Sequence, residues 1–271
     1  MTRSDSTFAG AVPRIYAEKL VPLLFAPYAA EMASRVAARA PRDVLEVAAG
    51  TGAVTRALAG ALPEHASIVA TDLNQPMLDQ AAAAGTPRPV SWRQANALAL
   101  PFGDAAFDAV VCQFGAMFFP DRPRAYAEAR RVLRPDGAYQ FSTWDRIGES
   151  PLAATVQEAM ETLFPDDPPL FMERTPHGYH DPARIENDLA EGGFARRARI
   201  DALTLRSRAE SARDVAEAVC LGTPLRGEIE SRDASRLEAA VDAAEEAIAR
   251  RFGNGAIDAP MGAFLIEVEK H

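Results

Sequence analysis

The 271-residue sequence predicts a doubly wound α/β fold, and three features carry that reading. Strand-like and helix-like segments alternate five times between residues 43 and 144, the pattern of a parallel sheet covered by helices on both faces. One of these strands, Ala109-Val110-Val111-Cys112, is apolar throughout, as a central parallel strand buried on both sides must be. The first strand, with Val44, Leu45 and Val47 around Glu46, runs into the turn Ala48-Ala49-Gly50-Thr51-Gly52 and then into helix formers from Ala53 to Ala61. Gly50 and Gly52 let the backbone turn sharply and let a ligand lie against it, and the amides opening the helix point back at the same spot. Ligands of such sheets bind at the carboxyl ends of the strands, so this turn is where a cofactor belongs.

Composition narrows the class. A formal charge of −9, a pI near 5.1 and the lack of a long basic run argue against nucleic acid or an anionic membrane as partner and favour small molecules. The two cysteines, Cys112 in the apolar strand and Cys220 in a later helix, read as core residues of a reduced, cytoplasmic protein. The first ten residues lack an apolar signal core, and no stretch reaches the ~20 apolar residues of a membrane span.

Along the chain, residues 8–40 read as helical, broken by Pro13, Pro22 and Pro27, with a longer amphipathic helix from Tyr28 to Ala40. Tyr16, Phe25 and Tyr28 either pack this segment on the sheet or form a lid over the ligand, or both. A second strand, Ser67–Asp72, ends in a carboxylate one strand–helix–strand unit after Glu46. Asp72 there can accept hydrogen bonds from the vicinal hydroxyls of a ribose, or serve as a helix cap. Leu73, Met77 and Leu78 follow on a helix that Asp72 or Asn74 could cap; one of them could press on an adenine face, the others packing in the core. Val90–Ala95 gives the third strand, closed by Asn96, Ala97 and Leu98, and a tight turn leads into the fourth, which ends at Gln113 and Phe114. A helix from Arg122 to Leu133 stops at Pro135 and Gly137, and Ala138–Trp144 is the fifth strand.

Four ordered segments together resemble the class I S-adenosylmethionine-dependent methyltransferases, and among them the small-molecule branch around the ubiquinone and menaquinone enzymes. They are Glu46-Val47-Ala48-Ala49-Gly50-Thr51-Gly52; Asp72; Leu100-Pro101-Phe102 with Asp104, Phe107, Asp108 and Val110; and Arg131 through Gly137. The resemblance is strong over residues 40–145 and weak on the flanks. It implies a seven-stranded Rossmann-like sheet of order 3-2-1-4-5-7-6 with a helical cap, and S-adenosylmethionine as cofactor. Glu46 and the Ala48–Gly52 turn would face its methionine part, Asp72 its ribose, Leu73 or Met77 the adenine face, and Asn96, Ala97 and Leu98 the adenine edge. Gln113 and Phe114 would lie near the transferred methyl, and Tyr16 in the lid would join this cofactor site. Two positions depart from the family pattern. Ala48 replaces a glycine, which the turn accommodates if φ stays negative, and Asn96 replaces an aspartate, whose acceptor role an amide oxygen can still fill.

The second half carries the individuality. Residues 146–176 hold five prolines around one amphipathic helix, Pro151 to Phe164, and form an inserted cap. It leads to His177-Gly178-Tyr179-His180, then a helix to about Ala190 and a strand from Arg199 to Leu205. The histidine pair has capping or surface roles as one reading and substrate contact as the other. If a general base is needed, His177 or His180 is the candidate, with Tyr179 as an orienting hydroxyl. No companion ligand cluster suggests a metal. Two helices are expected between Ser211 and Phe252, the second from Asp233 to Arg251, and Met261–Val268 reads as a last, antiparallel strand. One domain is expected over residues 1–271: a helical lid (1–40), a cofactor-binding core (41–145), the cap (146–182) and a C-terminal part (183–271) completing the sheet.

The function that follows is methyl transfer to a small organic acceptor by in-line displacement. A nucleotide-dependent oxidoreductase would share the fold and the acidic residue, but the turn lacks the third glycine of the dinucleotide fingerprint. A cofactor-binding sensor without transfer activity is the other alternative. The identity of the acceptor and the oligomeric state are not encoded in any motif.

Overall fold

The computed structural model describes residues 12–271; the expected helical start at residues 8–11 lies outside the described residues. The chain enters through α1 (Val12–Ile15), a π-helical stretch (Tyr16–Phe25) and α2 (Ala26–Ala38) as one unbroken run. The prolines do not break it. Pro27 stands at the junction with α2, where its fixed φ is compatible with the helix and the run continues past it. Pro22 lies inside the π-helical stretch, which passes it with a longer bond from the Ala26 N–H to the Val21 carbonyl.

The core then alternates: β1 (Asp43–Val47), α3 (Ala53–Ala61), β2 (Ser67–Asp72), α4 (Gln75–Ala84), β3 (Ser91–Gln94), β4 (Phe107–Gln113), α5 (Arg122–Val132) and β5 (Leu133–Trp144). After these come α6 (Pro151–Leu163), α7 (Phe171–Arg174), α8 (Pro182–Glu191), β6 (Arg199–Ala209), α9 (Ala212–Gly222), α10 (Leu225–Asp233), α11 (Leu237–Phe252) and β7 (Ile257–Glu269). The seven strands lie in the order β3-β2-β1-β4-β5-β7-β6, as expected. The first five are parallel, and β7 runs antiparallel between β5 and β6. Val44 and Leu45 of β1 and Val110 and Val111 of β4 are buried, which is why these strands are apolar without alternation.

Three element boundaries differ from the sequence reading. β5 begins at Leu133, not Ala138: Leu133 pairs with Phe107, and the register then shifts through Pro135-Asp136-Gly137, with Asp136 at φ +64. Arg134 anchors this irregular start by bridging Asp43 and Asp108, both at 2.8 Å. β6 and β7 pair over eleven positions, longer than their apolar stretches suggested, since an edge strand can stay in register on backbone bonds alone. The stretch after Ser211 forms three helices, because Thr223-Pro224 ends α9 and Asp233 caps a separate 3₁₀ turn before α11.

Two buried apolar clusters result. One fills the sheet and its flanking helices; the other joins α6, α7, α9, α10 and α11 to Leu20 and Leu23 of the π-helical stretch and to the start of β7. The second cluster holds these helices together as one layer with the π-helical stretch and β7. Among the described residues, no helix is long and apolar enough to cross a membrane.

Candidate functional site

A cavity of about 390 Å³ opens at the carboxyl ends of β1, β2 and β4, within the roughly 300–1,000 Å³ range of small-molecule sites. Its floor is the turn after β1. Gly50 sits at φ +56, and the Asp72 carboxylate holds it in place: Oδ2 accepts from the Gly50 N–H and Oδ1 from the Asn74 N–H, both at 2.8 Å. One wall is Leu73 and Met77, another Asn96, Ala97 and Leu98, and a third Gln113 and Phe114, with Tyr16 above. Leu73 is 51% exposed, an apolar side chain on the rim that a flat ligand would cover. Of the predicted cofactor residues, only Glu46 and Gly52 are not in the lining.

Glu46 lies beneath the turn rather than in the cavity. It is buried, and Thr55 Oγ1 donates to its Oε2 at 2.6 Å. Burial, reinforced by the negative charge of Asp72, pushes its carboxyl up to about 8. Gly52 is the left-handed residue just before α3, and a Cβ on it would meet Trp92 of β3 at 3.1 Å and Ala81 of α4 at 3.2 Å, so it faces β3 and α4. Asp72 is also held above the usual carboxylate range by burial, against the backbone bonds that favour its charge. Burial and Asp72 likewise raise the phenol of Tyr16, keeping it protonated.

The expectation that φ stays negative at Ala48 is wrong. Ala48 adopts φ +55, the conformation the displaced glycine would take without strain. Its methyl is accommodated because Gly115 stands opposite: a Cβ there would come within 2.6 Å of Ala48 Cβ. Phe114, also in the lining, has φ +52, so two left-handed non-glycine residues border the site. Asn96 Oδ1 accepts from the Leu98 N–H at 2.9 Å, which leaves one lone pair for a ligand. Gln113 Nε2 donates to the Phe25 carbonyl at 3.2 Å, whereas its buried Oε1 has no hydrogen-bond partner among the described residues.

A second cavity, about 80 Å³, adjoins the first and shares Tyr16, Phe114 and Phe118 with it. His177 lines it. Its Nδ1 lies 2.7 Å from the Asp145 carbonyl, which can only accept, so Nδ1 carries the proton and Nε2 is a bare acceptor. Burial drives this imidazole down to about 4, which keeps it neutral. The other two members of the predicted catalytic group are elsewhere. His180 lines neither cavity, and its Nδ1 bonds the His177 carbonyl at 2.7 Å, bracing the loop. Tyr179 turns into the sheet-side core, where it donates to Asp188 at 2.8 Å, accepts from Tyr126 at 3.2 Å and lies under the Arg122 guanidinium. Consecutive residues of a tight loop point in different directions, so their adjacency in sequence did not bring them to one site. The sequence reading passed over Ser150, Phe118 and Trp144, all in the second cavity. The Ser150-Pro151 pair marks a helix start, but nothing local shows that its hydroxyl goes elsewhere.

Residues 45–141 match the model of a methyltransferase domain. Over 107 residues the chain is 41% identical to demethylmenaquinone methyltransferase of Deinococcus radiodurans, covering 39% of this chain and 44% of that protein. A solved putative methyltransferase from Bacillus halodurans superposes with a TM-score of 0.54 at 18% identity, over 89% of this chain and 98% of that one. Haemonchus contortus phosphoethanolamine N-methyltransferase 2, solved with phosphomonomethylethanolamine and S-adenosylhomocysteine, gives 0.57 at 14% identity, over 96% and 56%. Fold and matched segment therefore agree on the class: residues 45–141 match a methyltransferase domain, and they lie in a sheet of the order β3-β2-β1-β4-β5-β7-β6 that the resemblance to the class I S-adenosylmethionine-dependent methyltransferases implied. Within that class the core is similar to the quinone-biosynthesis enzymes, although the chain spans about half the length, or less, of the curated relatives it matches.

Proposed function

We propose that this chain transfers a methyl group from S-adenosylmethionine to a small organic acceptor. The observation that carries the reading is the convergence of residues from separate motifs, Gly50, Asp72, Leu73, Asn96 and Gln113 among them, on one cavity at the strand ends. The residues suit the cofactor. Asp72 Oδ2 keeps a lone pair beyond its bond from the Gly50 N–H and can receive a ribose hydroxyl, while Oδ1 is taken by the backbone and side-chain amides of Asn74. The unpartnered Oε1 of Gln113 is an acceptor for the ammonium of the amino-acid end, and Leu73 and Met77 offer an apolar face to the adenine. Glu46 serves from below, holding the start of α3 through Thr55.

When bound, the cofactor supplies a methyl group already activated on a sulfonium. An acceptor lone pair aligned with it would take that carbon, with the electron pair of the carbon–sulfur bond leaving on sulfur and the acceptor's proton passing to water. The chain's part is alignment in a site closed by Tyr16 and Phe114, and proximity of this kind is worth up to ~7–11 kcal/mol. His177 does not ionise a phenolic acceptor beforehand. Moving a proton from a phenol of pKa about 10 to an imidazole near 4 would cost roughly 8 kcal/mol. Calorimetry with S-adenosylmethionine, S-adenosylhomocysteine and a nicotinamide dinucleotide tests the reading, followed by release of S-adenosylhomocysteine across acceptors. Binding of the two sulfur compounds with turnover is expected. Binding of the dinucleotide alone would overturn the reading.

A further inference from the structure

The second cavity has a polarity that a plain packing defect would lack. Ser150 immediately precedes α6, at the N-cap position where a serine ordinarily accepts a bond from the helix N-terminus; here it makes no such cap. It is 6% exposed, its Oγ is buried without a hydrogen-bond partner among the described residues, and it lines the cavity. His177 lines the same cavity with Nδ1 tied to the Asp145 carbonyl and Nε2 making no hydrogen bond among the described residues. Two further hydroxyls of the lining are engaged: Ser207 Oγ donates to the Leu23 carbonyl at 2.9 Å and Thr223 Oγ1 to the Val219 carbonyl at 2.8 Å. The rest of the described lining is apolar or aromatic, and none of it is Asp, Glu, Lys or Arg.

Position within the molecule defines what this pair can do. Phe114 belongs to the wall shared with the cofactor cavity, Trp144 stacks on it at 3.8 Å, and His177 follows Trp144 at 6.1 Å between ring centroids. His177 is thus set back from the shared wall by the Trp144 ring, and Ser150 lines the same cavity without belonging to the lining of the larger one. We infer that the second cavity is an acceptor subsite for an uncharged, largely apolar molecule whose hydroxyl, remote from the methylated atom, is held by His177 Nε2 and Ser150 Oγ. The inference rests on the methyl-transfer reading and adds the substrate class to it. Charge is excluded because a carboxylate or ammonium would enter with no counter-ion among the described lining residues, at a desolvation cost of several kcal/mol. A hydroxyl fits because it donates to the bare Nε2 and accepts from Ser150. At about 80 Å³, roughly half of an apolar cavity of ~150 Å³ that admits benzene, the space takes one end of the acceptor while the remainder reaches past Tyr16, Phe114 and Phe118.

The test uses phenol, toluene and benzoate as probes on the full chain, with and without S-adenosylhomocysteine, read by calorimetry and by the ¹⁵N signals of His177. Phenol is expected to bind and shift Nε2, benzoate to fail, and toluene to bind about 5–10-fold more weakly than phenol. His177→Asn, which keeps a donor for the Asp145 carbonyl and removes Nε2, and Ser150→Ala should each weaken phenol about 5–10-fold while leaving toluene and S-adenosylhomocysteine unchanged. Equal phenol binding in wild type and both variants, no phenol binding, or benzoate binding as well as phenol would each overturn the inference. Should a variant fail to fold, the ¹⁵N response of the wild-type protein still decides. Failure of S-adenosylhomocysteine to bind would instead remove the underlying methyl-transfer reading, since phenol is also measured without it.

Discussion

The two adjoining cavities are built on opposite plans. The larger lies on the carboxyl edge of the sheet, on residues that follow their strands directly: Ala48 and Gly50 after β1, Leu73 after β2, Phe114 after β4. It holds a carboxylate, amides and a rigid turn. The smaller is assembled from the π-helical stretch, β5, α6, α7, α9, the loop before α8 and the start of β7, and offers apolar walls with two isolated polar atoms. The difference teaches that a cavity on strand ends is defined by the backbone of one continuous edge, whereas a cavity assembled from separate segments depends on how they pack above that edge.

Buried titrating groups of opposite sense give the largest test of that contrast. Below the cofactor cavity, Glu46 is held up at about 8 against an ordinary 4.5, so its neutral form is favoured in the fold. The stability this contributes is fully present below 4.5 and is lost as pH rises through 8, with a ceiling of about 5 kcal/mol. Glu46→Gln should therefore be more stable than wild type in denaturant titrations at pH 9, by several kcal/mol at most, and indistinguishable near pH 5. An equal difference at both values would show that Glu46 does not titrate as its burial requires.

In the second cavity the sign reverses. His177 is depressed to about 4 from 6.5, so its contribution is present above 6.5 and lost as pH falls through 4, over about 3 kcal/mol. Replacing it with Phe should flatten the stability loss between those limits, measured by urea titration. A variant as acid-sensitive as wild type would place the imidazole in solvent.

Next in size is Asp72→Ala, which removes both the clamp on Gly50 and the acceptor for the ribose. Affinity for S-adenosylhomocysteine should fall about 100-fold by calorimetry, with phenol binding in the other cavity unaffected. Loss of both ligands together would mean that the cavities are not independent.

The smallest effect concerns Ala48. Its left-handed backbone costs about 1–2 kcal/mol, offset in part by the greater freedom of glycine in the unfolded chain, so Ala48→Gly should stabilise by about 1 kcal/mol or less. Gly115→Ala should destabilise by about 1–3 kcal/mol and less so in the Ala48→Gly background, because the 2.6 Å clash with Ala48 Cβ is gone while Cys112 Sγ remains at 2.8 Å. A thermodynamic cycle of the four proteins checks this coupling; strict additivity would deny it.

The strand ends were legible because each carries its own local cause. β1 and β2 match their apolar runs, and Asp72 could be placed because a strand–helix–strand unit returns the chain beside its starting strand. The conformation of Ala48 was not, since a residue type reports what a backbone prefers and the turn overrode that preference with Gly115 making room. Tyr179 was misplaced for a related reason: its phenol found buried partners in Tyr126 and Asp188, 53 and 9 residues away, that no local pattern announces.

By itself, then, the sequence determined the sheet, its central strands and the edge on which a cofactor would lie, because periodicity, glycine turns and a carboxylate at a strand end act over a few residues. Only the tertiary structure decided that Glu46 works from beneath, that His177 is separated from Tyr179 and His180, and that Ser150 gives up its helix cap to face a cavity. Burial and desolvation set those outcomes, and both are properties of everything packed around a group rather than of the residues next to it in the chain.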